Sequence, residues 1–583
     1  MVSLLFLCLA LPLLTAFALM LFRSSLTVST SRWIALGGAI LTLIVSLQLA
    51  NGYNHLPRAT FDGSPIQPQL EYVHPWLTVA QNADGTGGLK FDFFFGLDGI
   101  SVALIVLTTL LTVSSILISW EAIKDRAADF YICLMILEAG LIGVFSAFDV
   151  ILFYAFFEVT LIPLFFLIAI WGGPQRKHAA FKFFLYTLAG SLITLLGVVS
   201  LVLHAASTGL TNPTSIPALA GWLQDHPLSA SMQVALFLAI SIGFLIKVPV
   251  FPFHTWLPLA HVEAPTAGSV LLAGVLLKLG TLGFLRLCLP MLPEASATVG
   301  LPAIGILSVV GIIYGSLCAL GQRDIKKLVA YSSVAHLGFC TLGLFALNPE
   351  GLTGGVLQMI NHGLSTGGLF LLVGMVYDRY HTRSLDELHG LATKLPLISC
   401  GMVFISMASI GLPGLNGFTG EVLCLAGMFK AHPVYGILGA SGVVLGAWYL
   451  LSAVQVFFFG ELKESDHREP HITDMNLREA FAFVPLAAAC LWIGLTPNSV
   501  IDLIRPDVTS VANVFHKSSS ETSGHESENA HASTGEAEES TPAESGRSVP
   551  AVSQVNHLVQ DSRDAREIEL FAVQRSMLSA NGN

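Results

Sequence analysis

Residues 241–265 read SIGFLIKVPVFPFHTWLPLAHVEAP, and the fold depends on how this stretch is read. A strongly apolar helix runs in from about Gln233 and carries Lys247 well inside it. Pro249 and Pro252 follow, then His254, His261 and Glu263. An ionised lysine at the centre of a bilayer costs about 2.5–3.5 kcal/mol on insertion scales. Proline frees backbone carbonyls that hydrocarbon cannot satisfy, so a break at that depth must face protein or water. An ammonium beside a proline-broken helix therefore predicts an ion pathway, not a lipid anchor.

The rest of the chain reads as housing for this site. Of 583 residues, 53% are hydrophobic and 11% charged, with a mean hydropathy of +0.70. Soluble proteins carry about 25% charged residues, so the composition predicts a polytopic membrane protein. The net charge of −11 is no property of the apolar core, because the tail from Arg505 holds 12 of the 39 acids against 6 of the 28 bases. No basic, aromatic-interleaved patch suggests nucleic acid. The eight cysteines (8, 133, 288, 318, 340, 400, 424 and 490) stand singly in apolar runs, which argues against zinc and iron–sulfur sites. There is no phosphate-binding Walker loop and no dinucleotide GxGxxG unit between strand and helix.

Apolar runs of about 20 residues, the length that crosses a bilayer, predict fourteen spans. They fall near 2–22, 33–50, 98–118, 131–148, 150–171, 181–204, 233–251, 267–289, 298–320, 325–346, 351–377, 395–426, 434–460 and 480–504. The first lacks a basic region ahead of it and reads as a span rather than a cleaved signal. The twelfth is too long for one straight crossing, and GLPGLNGFTG (411–420) predicts a second broken helix. Loops that follow odd-numbered spans hold 16 Lys and Arg, against 3 in the even loops. Basic loops stay in the cytoplasm, so odd loops are expected inside and both termini outside.

Six ionisable residues lie at membrane depth: Lys247, Lys278, Arg286, Glu138, Glu158 and Glu421, with Asp98 and Asp149 near span ends. An ion pair that fixes packing explains one such residue; six distributed through the bundle predict function. SIGFLIKVPVFPF (241–253) and SIGLPGLNGFTGE (409–421) share an SIG start, prolines and a charge beside the break. Two breaks five spans apart predict an inverted five-helix repeat, spans 4–8 and 9–13, as in transporters. The expected divisions are 1–130 with an outer loop at 51–97, 131–290, 298–460, 461–504 and an acidic tail at 505–583. That tail is expected to be largely disordered, with a short helix at 560–579. Its His516, His525, His531 and His557 lack metal-ligand spacing.

Several stretches carry a family likeness: FFFGLDGIS (93–101), FDVILFYAFFEVTLIPLFFLIAIWGG (148–173), IKVPVFPFHTWLPLAHVEAPTAGSVLLAGVLLKLG (246–280), DIKKLVAYSSVAHLG (324–338), QMINHGLSTGGLFLLVG (358–374) and GLPGLNGFTGE (411–421). Over roughly residues 1–504 the chain resembles the antiporter-like subunits of respiratory complex I. Fourteen spans, and Glu421 where the L and N branches and the Mrp antiporters usually carry lysine, resemble the chain M branch of NADH–quinone oxidoreductase. The resemblance does not cover the tail.

The resemblance implies an all-α proton-translocating subunit with a hydrophilic axis in the membrane plane. Along it Glu158 would pair with Lys247, Lys278 would relay, His336 and His362 would continue the wire, and Glu421 would end it. His254 and His261 would line the segment after the break, and Glu138 is a secondary candidate. This chain would hold no cofactor; NADH, FMN, iron–sulfur clusters and quinone would belong to other subunits. Expected partners are chain L-like and chain N-like membrane subunits, in a bacterial cytoplasmic membrane. The alternatives are a subunit of an Mrp-type cation/proton antiporter or of an energy-converting hydrogenase, and a structural spacer between other pumps.

Overall fold

The structure is a computed structural model that describes residues 1–56, 64–81, 88–465, 468–469 and 471–532. Among these, twelve helices are long and apolar enough to cross a membrane: Val2–Leu21, Val28–Asn54, Gly99–Ala122, Ala127–Ser146, Val150–Trp171, Arg176–Ser207, Ala230–Lys247, Thr266–Cys288, Pro293–Leu320, Pro349–Tyr380, Pro433–Phe458 and Leu477–Leu495. The tenth and twelfth expected spans, 325–346 and 395–426, complete the order. The tenth is an unbroken helix, Ile325–Leu344, carrying buried Ser332, Ser333 and His336. The twelfth is divided into Pro396–Ser409 and Asn416–Ala431. The tenth matches the first in length but carries Lys326, Lys327, Ser332, Ser333 and His336, and the twelfth is split into two shorter pieces.

Helix starts follow local capping chemistry. Asp149 Oδ1 accepts from the N–H groups of Ile151 and Leu152 at 2.9 and 3.0 Å, and Asn348 Oδ1 accepts from Gly351 N–H at 2.9 Å. These side chains satisfy donors that every helix N-terminus leaves unpaired. Asp98 caps span three in the same way. The two acids read near span ends are thus helix caps.

Spans eight and eleven form the centre: in both Thr266–Cys288 and Pro349–Tyr380 the apolar window is 100% buried, against 33% in the first span. Their backbones cross where glycine is required. A Cβ on Gly363 would stand 2.7 Å from the Gly274 carbonyl oxygen, and one on Gly274 would stand 2.3 Å from a Leu111 methyl. Span eight is also locally widened into π-helical turns at Leu272–Leu276 and Phe284–Cys288.

Three features were not read from the composition. The loop after span two carries an antiparallel hairpin, Gln69–Gln81 with Gly88–Leu97, in which Tyr72 faces Phe95 and His74 faces Phe93. Its aromatic and β-branched residues favour a strand, so the all-α bundle has a small β element outside it. A short helix, Ile216–Asp225, lies between spans six and seven. After span fourteen a helix runs Asn498–Ala532, past the boundary expected at 505, and Ile504, Val508, Val511 and Ala512 on it are buried. The apolar spacing of these four residues gives one buried face, which a composition dominated by Ser and Glu further along hides. The helix expected at 560–579 lies outside the described residues.

Candidate functional site

Span seven ends at Lys247. Pro249 has no N–H for the Leu245 carbonyl, and Val250 N–H takes that carbonyl instead at 2.9 Å. The Ile246 carbonyl is then left over, and the Trp256 indole N–H donates to it at 3.0 Å. After this turn the chain resumes as Leu257–Glu263. The Leu245 and Ile246 carbonyls freed at the break are thus taken by protein donors, as a helix interrupted in hydrocarbon requires.

The Lys247 ammonium emerges at this break, with the residue only 2% exposed. It forms no hydrogen bond and lies 4.6 Å from the centroid of the Phe157 ring. Glu158, the next residue on span five, acts electrostatically on Lys247, and Ser191 on span six interacts with its carboxylate. No ion pair within 4 Å joins Glu158 to Lys247. The two expected partners therefore stand near one another without contact, and the ring of Phe157 takes the ammonium instead.

Lys278, fully buried on span eight, donates to the Ala273 carbonyl at 2.5 Å and lies 2.8 Å from His362 Nδ1 on span eleven. The widened turn makes the first contact possible, because Leu277 N–H reaches back to Leu272 rather than Ala273. The glycine crossing of spans eight and eleven makes the second. Spans seven and eight approach equally closely: a Cβ on Gly280 would stand 2.8 Å from the Phe244 carbonyl. Lys247 and Lys278 flank that crossing.

On the far side of His362 lies His336, with ring centroids 6.0 Å apart. A single water can bridge such a separation. His336 Nδ1 is 2.9 Å from Glu421 Oε1, and its Nε2 is 3.3 Å from the Tyr449 hydroxyl and 3.4 Å from the Ser409 hydroxyl. Gln358 Nε2 donates to the same Glu421 oxygen at 3.1 Å. The break in span twelve places this acid: Gly411 and Gly414 take φ of 76° and 90°, conformations that favour glycine. Asn361 donates to the Asn416 carbonyl at 2.7 Å and Asn416 returns the bond to the Asn361 carbonyl at 3.2 Å, tying the break to span eleven.

Of the six expected site residues, the structure joins Lys278 to His362 and His336 to Glu421, and leaves Glu158 and Lys247 adjacent but unbonded. His254 is buried among Phe251 and Tyr314. His261 stacks on Phe370 at 4.7 Å with neither ring nitrogen hydrogen-bonded. Glu263 accepts from Gln175 N–H at 2.8 Å and helps hold the segment after the break. Glu138 is fully buried with both oxygens unpartnered among the described residues. Arg286 pairs with Asp98 at 2.9 Å, apart from the lysines. Sequence reasoning missed Gln358, Asn361, Asn416, Ser409, Tyr449 and Ser191. Gln358 lies one helical turn before both Asn361 and His362, at i+3 and i+4, the one signal that pointed to these side chains. Among the described residues, no three His, Cys, Asp or Glu side chains group closely enough to hold a metal ion.

Buried acids, lysines and histidines strung between two interrupted helices define an antiporter-type membrane subunit. The family model described as NADH:quinone oxidoreductase/Mrp antiporter, transmembrane, matches residues 147–446. The NADH-quinone oxidoreductase subunit M of Rhodobacter capsulatus is 42% identical over 493 residues, 83% of this chain and 91% of its own length. The NADH-ubiquinone oxidoreductase chain 4 of Chondrus crispus is 44% identical over 72% of this chain and 83% of its own. A chain of respiratory complex I from Thermus thermophilus with bound NADH superposes with a TM-score of 0.74 at 30% identity, over 88% of this chain and 99% of that one. The chain belongs to the NADH:quinone oxidoreductase/Mrp antiporter family, alongside its subunit M members.

Proposed function

We propose that this chain is the M-type membrane-arm subunit of an NADH:quinone oxidoreductase and moves protons, with the redox chemistry carried by other subunits. The supporting observation is the Lys278–His362 contact at 2.8 Å, which brings the lysine side of the bundle to a ring separation of 6.0 Å from His336, itself paired with Glu421. Moving one proton against about 200 mV takes about 4.6 kcal/mol. That equals a swing of about 3.4 pKa units on the carrying group. Burial and an approaching opposite charge each shift a lysine by amounts of this order, in opposite senses. Glu158 and Lys247 therefore suit a switch: near enough to interact, far enough apart to close. Closing the contact favours loading of the ammonium, and opening it favours release towards Lys278.

An acid rather than a lysine at 421 favours the M-type reading over the Mrp antiporters and the L and N branches. The excess of Lys and Arg in the odd loops supports odd loops inside and both termini outside; a bacterial cytoplasmic membrane and L-like and N-like neighbours go with the subunit M reading. NADH, FMN, iron–sulfur clusters and quinone would be bound elsewhere in the complex and not by this chain.

The test is to introduce Lys247→Ala and Glu158→Ala in the assembled complex. Both are expected to lower NADH-driven proton translocation sharply. Wild-type rates with an intact gradient in both variants would sink the proposal. Co-purification with iron–sulfur subunits and turnover independent of Na⁺ would separate it from an Mrp-type antiporter.

A further inference from the structure

Span three begins at an N-terminus capped twice. Asp98 Oδ1 accepts from the Ser101 N–H at 2.6 Å and from its hydroxyl at 2.5 Å, while Oδ2 accepts from Arg286 at 2.9 Å. Asp507, on the helix Asn498–Ala532, reaches the same turn, and its Oδ2 accepts from Gly99 N–H at 2.7 Å. Arg286 is engaged elsewhere too: it donates to the Ser101 hydroxyl at 2.5 Å and to the carbonyls of Phe145 and Ala147 at 3.0 and 3.3 Å. Its guanidinium also lies 4.2 Å from the centroid of the Phe148 ring. Asp98 thus takes the guanidinium, while the Asp507 carboxyl is held by the backbone N–H of Gly99, with no cation within 4 Å of it among the described residues.

A carboxylate without a cation is costly in a site shielded from water, and a second carboxylate nearby adds to that cost, so taking up one proton relieves it. Asp507 lies beyond the last candidate span. Burial raises its carboxyl well above the usual carboxylate range and the Asp98 charge adds to this, while the Gly99 and Ile100 N–H groups and Arg286 oppose it.

The pair opens onto a cavity of about 50 Å³, lined by Tyr53, Gln67, Asp98, Arg286, Asp507 and Ser510. Such a volume holds a few waters. Ser510 is 5% exposed, and its hydroxyl has no partner among the described residues. A buried hydroxyl facing a polar cavity without a protein partner is served by water. Tyr53 and Gln67 come from the end of span two and the loop after it, the side opposite the basic loops. On span eight, Arg286 follows Lys278 by about 12 Å of helix.

We propose that the Asp98–Asp507 carboxyl pair is a further proton-binding site of this chain, holding one proton and exchanging it with cavity water on the side of the second loop. This rests on, and deepens, the proton-translocation reading.

The experiment measures NADH-driven proton translocation against pH in vesicles containing the assembled complex, for the parent, Asp507→Asn and Asp507→Glu. Asparagine keeps the size of the side chain and an acceptor for Gly99 N–H, so a purely structural cap would survive it. The asparagine variant is expected to slow translocation about tenfold and to move its pH profile by about one unit, as loss of one of two coupled carboxyls does. Glutamate is expected to restore the parental profile. An asparagine variant with the parental rate and profile overturns the inference. If Asp507→Asn does not assemble, Ser510→Ala replaces it, because it keeps both carboxylates; slowed translocation supports the site, and a parental profile overturns it. Lys278→Ala serves as reference. Loss of pumping there with parental behaviour at 507 and 510 defeats this inference alone, whereas parental pumping in all of them defeats the proton-translocation reading as well.

Discussion

His336 and Glu421 stand 85 residues apart in sequence and 2.9 Å apart in space, with Nδ1 against Oε1 inside the bundle. Glu421 stands in the second turn of the helix Asn416–Ala431 that follows the break in span twelve, and His336 on the unbroken span ten. Removing one member of a buried hydrogen-bonded pair costs about 1–3 kcal/mol. His336→Ala is therefore expected to destabilise the subunit by that amount, read as earlier thermal loss of the intact complex. Glu421→Gln keeps the size and hydrogen-bonding capacity but holds no exchangeable acid proton. It is expected to assemble normally and to pump poorly; full pumping in this variant would remove Glu421 from the pathway.

Lys278 offers a sharper test of proton transfer against mere charge. Lysine releases its proton when buried, whereas arginine stays protonated in proteins. Lys278→Arg is expected to resemble Lys278→Ala in proton translocation, both falling by about tenfold or more, as loss of a proton-transfer group does. If arginine supports translocation at the parental rate, position 278 supplies charge and not a mobile proton.

Trp256 closes the proline break by donating to the Ile246 carbonyl at 3.0 Å. Trp256→Phe keeps a large aromatic ring and deletes the N–H, leaving a buried acceptor unsatisfied. The expected cost is about 1–3 kcal/mol, concentrated at the break. Hydrogen exchange should rise at Lys247 and Val248 more than in span three; uniform exchange across both would contradict this role.

Arg286 joins Asp98, Ser101 and the carbonyls of Val144, Phe145 and Ala147. Removing one member of a buried charge pair costs about 3–5 kcal/mol. Arg286→Ala is accordingly expected to reduce the amount of assembled complex in membranes, read on native gels. Arg286→Lys keeps the charge but offers a compact ammonium in place of a planar fork, and should recover assembly only in part. Normal assembly of the alanine variant would show that the pair is dispensable.

Much of the fold was legible in the chain itself. Apolar run length, loop charge and the prolines and glycines of the two breaks follow from local chemistry that each segment carries alone; Asp98 and Asp149 were read only as acids near span ends, and their capping bonds came with the structure. Lys247, Lys278, Glu158 and Glu421 stood out because an ionisable group in an apolar run has a high cost wherever the run packs. Gln358, Asn361, Tyr449 and Ser409 did not stand out, since neutral polar residues are tolerated in many spans. Asp507 was hidden in a stretch read by its composition as tail.

What the sequence determined by itself is that this chain spans the membrane many times, is interrupted twice and buries opposite charges, because solvation cost acts residue by residue. The tertiary structure alone decided which charges touch. Lys278 meets His362 because glycines let two backbones cross, Lys247 faces Phe157 instead of bonding Glu158, and Asp507 returns to Gly99 across 408 residues. Contacts of this kind depend on the relative placement of helices distant in sequence, and no periodicity within one helix encodes that placement.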